Sequence, residues 1–253
     1  MSESSPGRTL RLLNSSIGLK LVMGVTGVIL VGFVLVHLAG NLQMYIGPDT
    51  FNHYAATLQG NPPLVWTVRI VLLVATILHI WSAIRLTRIN WRARPQAYAG
   101  ARRYDRATWA GLFMRGSGVV VLAFIVFHIL HFTVGAIQHE NFVLHEVLRG
   151  DVWVREDNLA VLKQVPPHMQ RHDAYRMFVL GFQNPFVSAA YIIANVLLGR
   201  HLAHGAASMF ATLGLAKGKR RLTADRIGLA IGMIVMLGNV AFPIAVLAGV
   251  IRL

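Results

Sequence analysis

The chain contains 11 histidines, and six of them lie in stretches otherwise made of leucine, valine, isoleucine, alanine and phenylalanine: His37, His79, His128, His131, His201 and His204. An ionisable side chain in hydrocarbon is costly, usually faces the interior of a helix bundle, and marks function more often than not. A single membrane histidine can also be an interhelical hydrogen-bonder, so the argument rests on the set. Zinc asks for about four ligands in a tetrahedron, commonly with carboxylate, thiolate or water among them. Two neutral imidazoles from facing helices instead suit an iron porphyrin held from both sides, a six-coordinate site fitted to electron transfer. A proton-transporting reading wants intramembrane carboxylates beside the histidines, and the apolar runs carry no Asp or Glu.

Those runs must position the histidines. A bilayer core of about 30 Å needs roughly 20 apolar helical residues, and five stretches qualify: 19–46, 64–86, 109–137, 185–215 and 227–251. The fold class expected is therefore all-α, an integral membrane bundle of five transmembrane helices forming one domain over 1–253. Its first four helices would enclose two stacked haems. Composition agrees: 55% of residues are hydrophobic and 13% charged, against about a quarter charged in soluble domains. Lys+Arg exceed Asp+Glu by 24 − 10 = 14, but this excess sits between apolar runs and argues for no nucleic-acid partner. The absence of cysteine excludes disulfides, cysteine-ligated iron–sulfur clusters and covalent haem attachment within the chain.

Lys and Arg collect on the cytoplasmic side of a membrane protein. The N-terminal tail has Arg8, Arg11 and Lys20, and the connection between the first two runs has neither Lys nor Arg. The next holds Arg85, Arg88, Arg92, Arg94, Arg102, Arg103, Arg106 and Arg115. The long connection 138–184 mixes both signs, and the last is basic again with Lys217, Lys219, Arg220, Arg221 and Arg226. The expected N-terminus is cytoplasmic, the C-terminus outside, and membrane lipid surrounds the chain. With alternating helix direction, His37 and His128 come late in outward-running spans, and His79 and His204 late in inward-running ones. Two histidine levels follow, one towards each face. A short repeat supports the outer pair: residues 26–40, TGVILVGFVLVHLAG, resemble residues 117–131, SGVVVLAFIVFHILH, with Gly27 and Gly118 each ten residues before the histidine.

Nearly the whole chain resembles the single-chain, five-helix dihaem cytochrome b membrane anchor of succinate dehydrogenase and fumarate reductase. The likeness lies in SSIGLKLVMGVTGVILVGFVLVHLAGNLQMYIGPDTFNHYAATL (Ser15 to Leu58), LHIWSAIRL (Leu78 to Leu86), MRGSGVVVLAFIVFHILHFTVG (Met114 to Gly135) and HLAHGAASMFATLGL (His201 to Leu215). It implies two b haems, with His37 and His128 as axial ligands of the outer one and His79 and His204 of the inner one. His131 and His201 remain alternatives, each three residues from a favoured ligand. Repeat spacing favours His128, and the His-Gly motif favours His204. The resemblance further implies a bacterial cytoplasmic membrane, a flavoprotein subunit that oxidises succinate, and an iron–sulfur subunit docked on the basic loops. The electrons would pass to a quinone, menaquinone being the usual partner of dihaem anchors.

Candidates for the quinone are Asn41, Asp49, Asn52, His53 and Tyr54 on the outer side, since a quinone needs donors to its carbonyls and a group that moves protons. On the inner side Ser15, Ser16, Lys20 and Arg115 are candidates for a quinone or for haem propionates. Both sets also read as turn residues and headgroup anchors. Arg200 lies deep in the fourth run and carries no assigned role. Two other classes stay open: the anchor of a hydrogenase or formate dehydrogenase, and a non-redox transporter or scaffold with structural histidines.

Overall fold

The computed structural model describes residues 15–93 and 106–253, the side chains of 106–111 excepted. Arg8, Arg11, Arg94, Arg102 and Arg103 lie outside the described residues. The long helices are α1 (Ser16–Asn41), α3 (Pro62–Arg92), α4 (Arg106–Phe132), α8 (Pro185–Thr212) and α9 (Arg220–Leu247). Each is long and apolar enough to cross a membrane, as the hydropathy of the runs requires. Between them lie α2 (Pro48–Gln59), α5 (His139–Phe142), α6 (Leu159–Leu162) and α7 (Ala174–Gln183). The strands are β1 (His145–Arg149), β2 (Val152–Glu156) and β3 (Gln170–His172).

Helix ends follow local side-chain chemistry. A helix leaves its first N–H groups without intrahelical acceptors, and short polar side chains supply them. The Ser15 hydroxyl accepts from Gly18 N–H at 3.0 Å, Asn61 from Leu64 N–H at 3.2 Å, and Asn184 from Phe186 N–H at 3.0 Å. After Asn41 the first span continues through a 3-10 turn, Leu42–Tyr45, and so runs almost to the end of its apolar stretch. The third ends earlier than its apolar run: α4 stops at Phe132 before Gly135 takes a left-handed φ of 71°.

The chain divides into two compact units, residues 1–35, 67–116 and 200–233, and residues 36–66, 117–199 and 234–253. The first unit is built from segments of α1, α3, α4, α8 and α9. Small residues set its closest helix approach: a Cβ on Gly228 of α9 would overlap the Ala203 carbonyl of α8 and lie 2.9 Å from Ala207 N, the close packing that Gly and Ala permit between membrane helices.

The second unit adds a folded cap that the sequence reading took for a long connection. Its sheet has the order β2-β1-β3, antiparallel throughout, with Arg149 opposite Val152 and His145 opposite His172. Beneath it α7 buries Tyr175, Met177, Phe178, Val179 and Phe182, and these join Phe51, Tyr191 and Phe242 in one core. Phe178 and Phe182 meet edge to face at 4.7 Å, as do Phe182 and Tyr191 at 4.8 Å. Such pairs add about 0.5–1.5 kcal/mol each beyond area burial.

Candidate functional site

In the second unit α1 and α4 bring His37 and His128 together. Their ring centroids are 5.8 Å apart and the ring planes stand at 83°. The separation and the ring angle are those of an edge-to-face aromatic contact. His128 and His131, three residues apart on α4, flank the Tyr191 hydroxyl of α8. That hydroxyl lies 3.3 Å from His128 Nδ1 and 3.0 Å from His131 Nδ1. His131 also has its other nitrogen engaged, with Nε2 2.9 Å from Gln138 Oε1. It is 2% exposed, with both ring nitrogens paired inside the protein. His128 has its hydrogen bond at Nδ1, which leaves Nε2 as the atom suited to a ligand.

In the first unit His79 of α3 makes the corresponding contact. Thr26 Oγ1 lies 3.1 Å from His79 Nδ1, and the Thr26 hydroxyl donates to the Val22 carbonyl at 2.8 Å. With its proton so directed, the Thr26 oxygen accepts from His79 Nδ1–H, and the lone pair falls on Nε2. A Cβ on Gly27 of α1 would stand 3.7 Å from His79 Cε1, an ordinary van der Waals separation, so the ring lies alongside α1. His201 and His204 lie one turn apart on α8, in the same unit as His79. The pairing of His79 with His204 rests on the sequence argument.

Among the described residues no three His, Cys, Asp or Glu side chains gather into a group able to hold a metal ion. Only 6% of the apolar stretch of α3 and 11% of that of α4 is buried within the chain.

The remaining candidates are distributed differently. Asn52 is fully buried and holds the cap together. Its amide donates to Glu146 Oε2 at 3.1 Å and Asp173 Oδ1 at 3.0 Å, and its oxygen accepts from Tyr175 N–H at 2.8 Å. Asp49 is exposed and pairs with the buried Arg171 at 2.7 Å, while Arg171 Nε donates to Glu146 at 2.7 Å and its guanidinium stacks over Trp153 at 4.3 Å. His53 is exposed and shares with Asp49, Asp151, Trp153 and Arg171 an open cleft of about 400 Å³. Asn41 is half-buried at the end of α1, and the half-buried Tyr54 packs its hydroxyl against Gly40. In the first unit Ser15 caps α1, Ser16 and Lys20 are exposed, and Arg115 lies 6.0 Å from the Trp91 ring. Arg200 stands over Phe113 at 4.9 Å.

Sequence reasoning missed Tyr191, Gln138 and the cap. A tyrosine within the fourth apolar run is the available signal for the first, since a buried phenol seeks a partner. For the cap the signal is HEVLRGDVWVRE, two strand-forming runs joined by Gly150-Asp151, a two-residue hairpin turn; Gly150 takes φ 63°.

Comparison with known proteins gives no match: no family model fits the chain, and neither a curated protein nor a solved structure is significantly similar to it.

Proposed function

We propose that this chain is the membrane-anchor cytochrome b subunit of a succinate:quinone oxidoreductase. It would carry electrons from an iron–sulfur subunit through two bis-histidine b haems to a quinone, menaquinone by the family resemblance, in a bacterial cytoplasmic membrane. The observation that carries the reading is the His37–His128 pair, edge-on at 5.8 Å on two helices long enough to cross a membrane. Such a pair, with His79 and His204 proposed as a second, would supply two imidazole donors to each haem.

Bound haem would supply one-electron redox chemistry between its ferric and ferrous states. The protein's own residues do the rest. His37 and His128 would hold one haem, and His79 and His204 the other. Thr26 and Tyr191 orient the rings by hydrogen bonds at Nδ1, fixing which nitrogen faces a ligand. The aromatic core around Tyr191 excludes water from the first pair. Asp49 and His53, both exposed, are the side chains of the quinone candidates best placed to exchange protons with water, whereas Asn52 is committed to the cap.

A reduced-minus-oxidised spectrum with a pyridine haemochrome assay on the detergent-purified complex tests this. About two b haems per chain, reduced on adding succinate, is the expected result. Haem without succinate reduction would point to the anchor of another respiratory complex. A protein free of haem would return the histidines to packing and make a transporter or scaffold the better reading.

A further inference from the structure

Gln138 is the one non-glycine residue with a positive φ among the described residues, at φ 52° and ψ 53°. A left-handed backbone at such a residue costs of order 1–3 kcal/mol and persists where the surroundings over-determine it. Here the backbone turn aims the Gln138 side chain back at the end of α4, where Oε1 meets His131 Nε2 at 2.9 Å. Gly181 of α7 makes room for the contact. A Cβ there would stand 3.2 Å from His131 Nε2 and 3.4 Å from Gln138 Oε1.

The direction of each hydrogen bond follows in sequence. An amide oxygen only accepts, so His131 donates from Nε2. A neutral imidazole has one donor and one acceptor nitrogen, so His131 Nδ1 accepts, and its partner at 3.0 Å, the Tyr191 hydroxyl, donates. The Tyr191 oxygen is then left to accept from His128 Nδ1–H at 3.3 Å. The proton of His128 is thereby fixed on Nδ1 and the lone pair on Nε2. Tyr191 is 5% exposed, ringed by Phe124, Phe127, Phe132 and Phe182 with centroids at 4.8–5.9 Å.

We propose that Gln138, His131 and Tyr191 are positioning residues that form a one-directional hydrogen-bond chain onto His128, setting its tautomer and the electron-donating strength of its Nε2 towards a bound haem iron. This rests on the haem reading above. A hydrogen bond accepted from Nδ1–H raises the basicity of the ligating nitrogen and so favours the oxidised metal. Removing it should raise the potential of this haem and leave the other unchanged.

The experiment is potentiometric titration of the haem-loaded complex, with low-spin electron paramagnetic resonance of the oxidised state, for wild type, Tyr191→Phe and His131→Gln. The haem that His37→Ala removes identifies the component to follow. Tyr191→Phe is expected to keep two haems per chain, raise the midpoint potential of that component, shift its resonance, and leave the second component in place. His131→Gln offers the tyrosine an amide acceptor and should return the potential towards wild type. Unmoved potentials and resonances in Tyr191→Phe overturn the chain, as does a shift of both haems together. A wild-type complex without haem overturns the function proposed above, and this inference with it.

Discussion

His37 and His128 face one another edge-on, with ring centroids 5.8 Å apart and planes at 83°. They come from helices separated by about 90 residues of chain, and the contact joins α1 to α4. His131, one turn along the same helix, has both nitrogens engaged at 3.0 and 2.9 Å.

Removal of single histidines should therefore sort into two classes. His37→Ala and His128→Ala are each expected to abolish the same spectral component. His79→Ala and His204→Ala should abolish the other. Loss of one component by both His37→Ala and His79→Ala would break the pairing, and retention of both haems in His128→Ala with loss in His131→Ala would exchange the ligand.

The cap should fail when its buried ion group is broken. Arg171 is flanked by Glu146 and Asp49, with Asn52 bridging Glu146 to Asp173. Arg171→Ala leaves a buried carboxylate without its cation, which costs about 3–5 kcal/mol. Asn52→Ala removes three hydrogen bonds at once, at about 1–3 kcal/mol for each buried group left unsatisfied. Thermal unfolding in detergent reads both, and unchanged transitions would show that the network contributes nothing net.

Stability of the cap should fall in mild acid. Burial holds the His172 imidazole below its ordinary pKa, and the nearby His145 adds to this, against the opposing hydrogen bond at Leu144 and the charge of Asp173. The unfolded chain then binds the proton first. The contribution is complete above the ordinary histidine value, about 6.5, and is lost as pH falls from there through the lowered folded value. Melting temperatures measured between pH 7 and pH 5 should decline in wild type and decline less in His172→Gln. Equal slopes would remove His172 as the cause.

A side chain on Gly228 should disturb the first unit. Its Cβ would meet the Ala203 carbonyl and Ala207 of α8, on either side of His204 in sequence. Overpacking a tight contact costs about 1–3 kcal/mol, so Gly228→Val should lower the melting temperature. It should also reduce occupancy of the haem proposed for His79 and His204 while sparing the other. Haem content and the difference spectrum check this, and equal loss of both haems would refute the local effect.

The apolar runs by themselves determined that five helices are long enough for a bilayer, because hydrocarbon burial is a property of composition and length. The placing of His37, His79, His128 and His204 on four different runs was legible for the same reason. Ends were less so: hydropathy carried the third run past Phe132, where a backbone turn rather than polarity stops the helix. Repeat spacing alone already favours His128 over His131, and the tertiary structure adds which nitrogen of each meets Tyr191 and Gln138 across three segments of chain. It also moved Asn52 from a candidate ligand-binding loop into the core of a cap, through partners 94 and 121 residues away. Residue type sets what an imidazole or amide is able to bond, and long-range packing decides which of those bonds is made.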